Sequence, residues 1–600
     1  MEKFAKKNGV SVRAYKGDAM TLLAFDLETS LKNNLAGFTI KYSYKKGNKT
    51  ESYYIFNRLV FPEAFLQANP DIPAKGKNST LYSPIQKFNW VHVPNTDINT
   101  QEPIFGEYTY EITPRYIENK TLLELDKELT VKVKIDVSPY NINKTEIGFT
   151  RGFVSSTAYA KRFNVKNNKV RPNETELVFD ITQIADTASR WNNDLEAYED
   201  VDYSFEEHHR WLGWQARQRI MDFLKETLED DSLYLKVFAY DLNEPEICNY
   251  LLQIAEQNRL KIILDNEGKH GGDNSFENLF EKEFKKVAND NNDIQRGKFG
   301  ALAHSKVFIQ TKNNKAIKVL TGATNFSTNG LYINSNHVLI FNNKKVAQLY
   351  SEVFDASFGK ENMTAFKGTN YSTDDFEFSG TGAPDMTITF APHTKEAAQR
   401  IFDRINARIL KKDNTDVLFA IMKDTNASSI LDSVKTQVEN GKIFTYGITD
   451  SIGKDAEYKV YLYKPNSTNG IRIKAKGIEN ILPEPFGEVA KIDGYAIHHK
   501  FVVVNFKGKD PVVYCGSSNL SFNPEQKNGD NLLEIHDKDI VTAFAIEALR
   551  LVDHFHWRNN EIADKKMYLD ALSKKTTAWY LPWFNAKDLR CQQRKLYIRE

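Results

Sequence analysis

The chain has few cysteines and no long hydrophobic run. Its 600 residues include only Cys248, Cys515 and Cys591, which are too few for a disulfide framework and lack the spacing of zinc ligands. No stretch reaches the roughly 18 uninterrupted apolar residues of a transmembrane helix. The first residues, MEKFAKKNGVSVRAYKGDAM, carry charge but lack the apolar region of a secretion signal. We therefore expect reduced cysteines and a cytoplasmic protein.

An excess of charge of one sign is also lacking. The chain has 80 Lys and Arg against 79 Asp and Glu, for a formal net charge of +1. Any attraction to nucleic acid or to lipid headgroups must then come from a local patch. Charged residues make up 26% and aromatic residues 12% of the chain, which is typical of a folded globular protein. At about 150 residues per domain, the length predicts three or four folded units.

Strand patterns dominate the first part of the chain. The segment LTVKVKIDV (129–137) alternates apolar and charged residues, and FTIKYSYKKGN (38–48) and GEYTYEITPRY (106–116) alternate in a similar way. We predict an antiparallel β-sandwich, immunoglobulin-like or fibronectin-like, over residues 1–155. A polar linker is expected at 156–205.

The rest of the chain has the pattern of a duplicated α/β lobe. A long helix is predicted at 206–230, and another at 394–412. The order strand, helix, strand then occurs twice, at 232–242, 244–258 and 260–266 and again at 415–425, 429–440 and 442–448. We therefore predict two related α/β lobes at 206–375 and 376–560, which meet about a pseudo-twofold axis.

Two further segments have more than one interpretation. The adjacent histidines His208 and His209 could bind a metal, but neighbouring residues on a helix project about 100° apart, so an ordinary helix start is favoured. The tail 561–600 contains AWYLPWF (578–584). Exposed, this run would suit a membrane interface or base stacking. We expect instead that the tail packs on the lobes.

Two motifs with one spacing stand out. Residues 304–327 read HSKVFIQTKNNKAIKVLTGATNFS, and residues 498–521 read HHKFVVVNFKGKDPVVYCGSSNLS. Each contains His-x-Lys, two apolar runs around a polar turn, and Gly-x-x-Asn-x-Ser, and in each the Asn lies 21 positions after the His. A lone His-x-Lys on a strand is more often structural. Two copies of the motif with the same internal spacing favour a functional site over a structural one.

The residue types in these motifs suit the cleavage of a phosphodiester. One imidazole can attack phosphorus and the other can protonate the leaving oxygen, while lysines and asparagines stabilise the developing negative charge. A covalent phosphohistidine would divide one difficult displacement into two. No metal or other cofactor is needed. The predicted catalytic residues are His304, Lys306, Asn325, His498, Lys500 and Asn519, and the predicted substrate-binding residues are Gly322, Gly516 and Ser518.

This pattern resembles the phospholipase D superfamily, whose signature of His-x-Lys followed by a Gly-x-x-Asn segment occurs twice. The resemblance covers roughly residues 206–560 and implies a metal-independent phosphodiesterase with a phosphohistidine intermediate. The family usually has an Asp five residues after the Lys, where this chain has Thr311 and Asn505. The tyrosyl-DNA phosphodiesterases also lack that Asp, so we expect its loss to affect lobe stability more than chemistry.

The resemblance also bears on the roles of the two histidines. In DNLLEI, Glu534 lies where family members often have an acidic residue that orients a histidine, whereas the corresponding place in SNHVLI is Leu339. The two halves are therefore not equivalent. We predict that His304 is the nucleophile and that His498 is the general acid.

Three functions remain open. A nuclease needs a basic groove, which KNNK (312–315), the segment EFKKVANDNNDIQRGKFG (283–300) and the basic tail could supply. A phospholipase D needs an exposed apolar rim, for which AWYLPWF is the candidate. An inactive scaffold would use the lobes for binding only. We favour a nuclease, with nucleic acid as the substrate and with a possible protein partner on the N-terminal sandwich.

Overall fold

The computed structural model describes most of the chain. The described residues are 1–97, 102–152, 159, 162–163, 170–173, 175–192, 197–290, 293–422, 430–452, 458–463, 471–474, 496–562 and 567–599.

Two antiparallel sheets make up the N-terminal part. Their strands are β1 (Glu2–Lys7), β2 (Val10–Lys16), β3 (Thr21–Leu27), β4 (Leu35–Lys46), β5 (Lys49–Tyr54), β6 (Asn89–His92), β7 (Gly106–Glu118), β8 (Thr121–Leu122) and β9 (Val131–Val137), with the short helix α1 (Glu63–Gln67). One sheet has the order β1-β2-β3-β6 and the other the order β5-β4-β7-β8, with β9 also paired to β7. Both sheets contribute to one core, in which the rings of Phe25 on β3 and Phe38 on β4 lie 4.6 Å apart.

The first lobe contains a mixed sheet and its helices. Its elements are β10 (Asn141–Ile142), β11 (Thr145–Phe149), β12 (Ile184–Asn192), β13 (Ala197–Ser204), α2 (Phe205–Glu229), β14 (Leu233–Ala239), α3 (Pro245–Glu256), β15 (Leu260–Asp265), α4 (Phe276–Val287), β16 (Ile294–Gly297), β17 (Lys306–Lys312), β18 (Lys315–Gly322), β19 (His337–Phe341), α5 (Lys344–Ser357), α6 (Lys360–Ala365) and α7 (Asn370–Thr373).

The second lobe and the tail complete the chain. Their elements are β20 (Phe376–Phe378), β21 (Met386–Ala391), α8 (Lys395–Leu410), β22 (Asp416–Met422), α9 (Ile430–Asn440), β23 (Phe444–Ile452), β24 (Tyr458–Tyr463), β25 (Ile471–Lys474), β26 (Lys500–Val504), β27 (Val512–Gly516), β28 (Asp530–Ile535), α10 (Lys538–Ile562), α11 (Leu581–Phe584) and α12 (Leu589–Ile598).

The two large sheets share the order of their central strands. The first has the order β10-β11-β19-β18-β17-β14-β15-β16, and the second has the order β20-β21-β28-β27-β26-β22-β23-β24-β25. In each sheet one strand–helix–strand unit forms a parallel pair, β14 with β15 and β22 with β23. The strand that begins at the motif lysine pairs antiparallel to the first member of that pair. Both His-x-Lys motifs therefore lie at equivalent positions, at the starts of β17 and β26.

The lobes join directly at these strand starts. The backbone N–H of Ser335 donates to the carbonyl of Ala496 at 2.7 Å, and the N–H of His498 donates to the carbonyl of Ser335 at 3.1 Å. A single apolar core contains buried side chains from both lobes. The seam between the lobes is thus a packed interface that fixes the two motifs relative to each other.

The domain limits differ from the predicted ones in two places. Strand β11 falls inside the predicted sandwich but pairs with β19 of the first lobe, with Thr145 opposite Phe341. Gly148 permits this, because a Cβ there would lie 2.8 Å from the backbone of Ala216 on α2. The predicted linker 156–205 contains the hairpin β12–β13. The rest of that linker lies partly outside the described residues.

The aromatic tail packs on the N-terminal sheets. Ala578, Tyr580 and Trp583 are buried in the core that those sheets share, and the Trp583 ring lies 5.3 Å from that of Phe88. The prediction that this segment packs on the lobes is therefore wrong. The last helix of the tail also reaches a lobe, where Tyr597 contacts Phe444 and Phe506.

Within the described part of the chain, no helix is both long enough and apolar enough to cross a lipid bilayer.

Replacement of Trp583 by alanine should destabilise the protein. Because the indole is only 5% exposed in a core built from two sheets, we expect Trp583→Ala to lower the free energy of unfolding by about 3–5 kcal/mol. Tyr568→Ala is the control, since Tyr568 is 49% exposed. Denaturant unfolding would measure both variants. Equal stability of the two would contradict the buried position of the tail.

Candidate active site

A buried aspartate holds the backbone ahead of each motif. Asp265 ends β15, and its carboxylate accepts a hydrogen bond from the Ala303 N–H at 2.6 Å. Asp450 in β23 accepts from the N–H groups of Ala496 and Ile497 at 2.6 and 2.9 Å. Both aspartates are fully buried. The sequence reasoning missed them, although each follows an apolar run in the second strand of a strand–helix–strand unit.

Each motif histidine is bonded to a residue of the other lobe. The Nδ1 atom of His304 lies 2.7 Å from Oδ1 of Asp530 at the start of β28. The Nδ1 atom of His498 lies 3.0 Å from Oδ1 of Asn336, which precedes β19. One histidine thus has a carboxylate partner and the other has a neutral carboxamide.

The strand register explains this exchange and corrects the prediction for Glu534. Gly322 pairs with Val338, and Gly516 pairs with Leu532, so Asn336 and Asp530 occupy the same position in the two sheets. Glu534 lies four residues further along β28, where its carboxylate contacts Arg404 at 3.0 Å and His536 at 3.3 Å. It contacts neither motif histidine. Its counterpart by register is Ile340, so the predicted comparison with Leu339 was shifted by one residue.

The motif lysines lie beside the histidines. Lys500 Nζ lies 3.2 Å from Nδ1 of His498 and donates to that residue's carbonyl oxygen at 2.9 Å. Lys306 donates to the carbonyl oxygen of His304, and its ammonium group lies 4.6 Å from the ring centroid of Tyr240. The edge of the same tyrosine ring packs against His304, at 4.6 Å between centroids. Tyr240 is therefore a wall of the site that the motifs did not reveal.

The motif asparagines retain unused acceptor atoms. The Oδ1 atoms of Asn325 and Asn519 are buried, and neither has a hydrogen-bond partner. Asn325 Nδ2 donates weakly to Asp241, at 3.4 Å. Since a buried carboxamide oxygen is normally bonded, both groups are available for a substrate or for water.

Three residues predicted to bind substrate have other contacts. A Cβ at Gly322 would lie 2.4 Å from the carbonyl oxygen of His337, and one at Gly516 would lie 2.5 Å from that of Asn531. Both glycines have positive φ, at 146° and 135°, so they permit a close strand approach. The hydroxyl of Ser518 donates to the carboxylate of Glu525. These contacts position the backbone of the site.

The positions that lack the usual Asp lie at the far ends of the strands. Thr311 is buried near the end of β17, opposite Tyr234. Asn505 follows β26, where its side chain accepts from the Thr415 N–H at 2.8 Å and donates to the Lys509 carbonyl at 2.9 Å. Both side chains are remote from the histidines along their strands. Their contacts agree with the expected structural role.

Burial makes positive charge unfavourable throughout the seam. It lowers the pKa of His304 to about 4, although the nearby Asp530 carboxylate acts in the opposite direction. Burial likewise lowers the pKa of Lys306 to about 7. The pKa values of His498 and Lys500 also lie well below their usual ranges, because of burial and then of neighbouring cations. An anion that enters the seam would supply the missing negative charge.

The adjacent histidines of α2 do not act as a pair. His208 Nε2 contacts the Tyr159 hydroxyl, whereas His209 Nε2 contacts the Val170 carbonyl at 2.7 Å. Among the described residues, His209 could contribute to a metal site with Glu244 and Glu246, but Glu246 already forms an ion pair with Arg217. A second group of potential ligands, near Asn325, consists of Asp241, His270 and Glu277.

A family model matches part of the first lobe. Residues 224–358 match the family model described as "Cardiolipin synthase, PLD-like domain". They form a phospholipase D-like domain. The predicted relation to the phospholipase D superfamily is thereby confirmed. No curated protein sequence matches the chain.

Solved structures of low identity resemble parts of the chain. Polyphosphate kinase from Porphyromonas gingivalis is 14% identical over 52% of this chain and 45% of its own, with a TM-score of 0.33. The chain thus spans less than half of that relative. The phospholipase D family member Nuc from Salmonella typhimurium is 21% identical over 22% of this chain and 84% of its own, with a TM-score of 0.18. Phosphatidylserine synthase from Haemophilus influenzae is 10% identical over 64% of this chain and 94% of its own, with a TM-score of 0.35.

Removal of the buried charge at Lys306 should stabilise the fold. We expect Lys306→Met to raise the free energy of unfolding by about 1–4 kcal/mol at pH 7 and below. The pKa of Lys306 is about 7 in the folded state and about 10.4 in the unfolded state, so the unfolded chain holds more protons between these values. The gain should therefore shrink as the pH rises from about 7 towards 10.

Unfolding titrations at several pH values would test this expectation. Lys298→Met is the control, because that side chain is 51% exposed. A loss of stability in Lys306→Met at pH 7 would contradict the unfavourable burial of its charge.

Proposed function

We propose that this chain is a metal-independent phosphodiesterase that forms a covalent phosphohistidine on His304. The observation that carries the proposal is the crossed pairing of His304 with Asp530 and of His498 with Asn336. It gives two neighbouring imidazoles different electrostatic partners and so different roles. The shared order of the central strands in the two large sheets supports an origin of the lobes by duplication.

The carboxylate partner favours His304 as the nucleophile. When Nδ1 carries a hydrogen and donates it to Asp530, the lone pair on Nε2 is free to attack phosphorus. Phosphorylation makes the imidazole positive, and a carboxylate stabilises that charge more than a carboxamide does. Asn336 cannot offer the same stabilisation to a phosphorylated His498.

The first chemical step replaces the ester by an N–P bond. Nε2 of His304 attacks phosphorus, the bond from phosphorus to the leaving oxygen breaks, and His498 gives that oxygen a proton. A bound phosphodiester anion raises the pKa of His498, so the histidine takes up this proton from solvent. Lys306 and Lys500 stabilise the negative charge on the non-bridging oxygens.

The second step restores the enzyme. His498, now neutral, accepts a proton from water as the water oxygen attacks phosphorus. The bond between phosphorus and Nε2 of His304 then breaks, and a phosphate monoester leaves. His498 again carries the proton that it gave away, and His304 is neutral.

The rim beside His304 favours a polyanionic substrate. Two loops meet there, since the Ala301 N–H donates to the carbonyl of Lys527 at 2.8 Å and Lys367 donates to the carbonyl of Gln526 at 3.0 Å. Both lysine side chains are exposed. Among the described residues, these loops carry no large exposed apolar side chain. We therefore infer nucleic acid as the substrate class.

The basic side chains of the other segments lie elsewhere or are paired with carboxylates. KNNK forms the turn at the far end of β17 from His304. Lys285 and Lys286 are paired with Glu281 and Glu283, each at 2.6 Å. The basic tail packs on the N-terminal sheets.

A phospholipid is the second candidate substrate, since the description of the matching family model names cardiolipin synthase. The segment AWYLPWF is no docking edge for it, because Ala578, Tyr580 and Trp583 are buried. An inactive scaffold is the third candidate. It would leave the unpartnered carboxamide oxygens and the crossed histidine pairs without a role.

The two histidine roles predict different trapped states. With a thymidine p-nitrophenyl phosphodiester, whose leaving group needs little protonation, His498→Ala should accumulate a covalent adduct on His304. Its turnover should fall by about 10²–10⁴-fold, because no base activates water. His304→Ala should form no adduct. Intact-mass and peptide analysis would locate the adduct, and His536→Ala is the control. An adduct on His498 in His304→Ala would reverse the assignment.

The substrate class can be tested in one experiment. In EDTA, we expect the protein to cleave single-stranded DNA, double-stranded DNA or RNA, and His498→Ala to lose that cleavage. Headgroup release from phosphatidylcholine vesicles would instead establish the second candidate. Absence of reaction with all four substrates would favour the inactive scaffold. Inhibition by EDTA that a divalent ion reverses would contradict the metal-independent mechanism.

A further inference from the structure

A second cavity lies between the N-terminal sheets and the lobes, with a volume of about 760 Å³. None of the predicted catalytic residues lines it. The N-terminal wall includes Trp90 and Val91 on β6, and the opposite wall includes Trp211 and Trp214 on α2. Its volume is typical of small-molecule sites.

The charge of Arg151 is the unusual feature of this cavity. Its guanidinium lies 3.4 Å from the ring centroid of Trp214 and 4.8 Å from that of Trp211. Within the described part of the chain, the guanidinium makes one hydrogen bond, a long one of 3.5 Å to the Trp211 carbonyl. Burial and the nearby Arg162 and Arg550 lower the pKa of Arg151 well below its usual range.

Three other cations of the cavity wall, Lys87, Arg162 and Arg550, have carboxylate partners, and that of Lys87 is Asp553 at 2.7 Å. Arg162 pairs with Glu207 at 3.0 Å, and Arg550 pairs with Glu547 at 2.7 Å. Among the described residues, no carboxylate forms such a pair with Arg151. The cavity therefore contains a shielded positive charge for which an anion is the missing counterpart.

The backbone of Trp214, in the aromatic wall, is strained. Trp214 has φ 46° and ψ −135° inside α2, a conformation that is unfavourable for a residue with a side chain. Such strain persists where the surrounding structure enforces it, and it recurs at ligand clamps. Here it accompanies the placement of an indole against the guanidinium of Arg151.

We propose that this cavity binds a mononucleotide-like anion, with its phosphate on Arg151 and its base against the tryptophans. Guanidinium groups bind phosphate through charge-assisted hydrogen bonds. Indole faces stack on nucleobases without a strong preference for sequence. The combination of one unmatched cation with several flat apolar walls fits a phosphate joined to a planar ring system.

Two contacts connect the cavity to the catalytic seam, and the consequence for catalysis rests on the proposed function. Thr150, next to Arg151, accepts from the Asn336 N–H through its hydroxyl at 2.9 Å and donates its own N–H to the Asn336 carbonyl at 3.1 Å. Asn336 is the partner of His498. A ligand on Arg151 is therefore one residue away from the group that orients the general acid.

A second route runs through α10. Arg550 donates to the Thr150 carbonyl at 3.2 Å and to Glu547. Glu547 also lies 3.2 Å from Nε2 of His499, the residue between His498 and Lys500. A phosphate that binds Arg550 would weaken the ion pair between Arg550 and Glu547. The cavity is thus suited to an effector of the same chemical class as the expected reaction products.

Isothermal titration of the full-length protein with AMP would test the proposal. We expect one saturable site in the wild type, with adenosine and inorganic phosphate each binding at least tenfold more weakly. Arg151→Gln should lower AMP affinity by at least tenfold and leave the melting temperature equal or higher, because it removes an unmatched charge that is partly buried. Arg400→Gln, on α8, is the matched control and should bind as the wild type does.

His498→Ala separates this site from the active site. It should keep AMP binding even if the protein proves to have no phosphodiesterase activity. Binding that is lost in His498→Ala but kept in Arg151→Gln would place AMP in the seam and overturn the proposal. So would equal affinity for adenosine and AMP, or binding of lysophosphatidate alone.

A measurement on the wild type covers the case in which Arg151→Gln fails to fold. Trp211 and Trp214 flank the proposed phosphate site, so AMP should quench tryptophan fluorescence with the same affinity as in the titration. Absence of any saturable change in fluorescence and heat would overturn the proposal.

Discussion

The crossed hydrogen bonds of the motif histidines are the constraint on which the site depends. His304 is bonded to Asp530 of the second lobe, and His498 is bonded to Asn336 of the first. Neither lobe alone therefore contains a complete histidine pair. The packed seam, the backbone bonds through Ser335 and the buried aspartates that fix the strand starts all serve to hold these contacts in register.

The same seam buries basic side chains, which is unfavourable for the protein without a bound anion. Two lysines and two histidines lie within a few per cent of complete burial, and burial lowers the pKa of each. An anion bound in the seam would offset this cost, because it would supply the negative charge that these groups lack. Asp530 and Asn336 differ in charge, so the two imidazoles have unequal electrostatic surroundings.

The parts outside the seam are linked to it more closely than a separate accessory domain would be. Strand β11 extends the sheet of the first lobe, and Thr150 after it holds Asn336. The aromatic tail runs back to the N-terminal sheets, where Trp583 packs against Phe88, and its end contacts the second lobe through Tyr597. These contacts enclose the cavity around Arg151 between the N-terminal sheets and the lobes.

The sequence alone was sufficient for the two motifs, for the repeated strand–helix–strand order and for the alternating strands near the N-terminus. Those features depend on local periodicity and on equal spacing, which a single chain displays directly. The partners of the histidines could not be read in this way, because Asp530 contacts His304 across 226 residues and only the strand register places it there. Glu534 was the residue named instead, since the sequence does not show which position of a strand lies at the seam. Tertiary structure alone likewise determined the contacts of the tail, of Arg151 and of the buried aspartates. Their neighbours come from distant segments that meet only when the sheets pack.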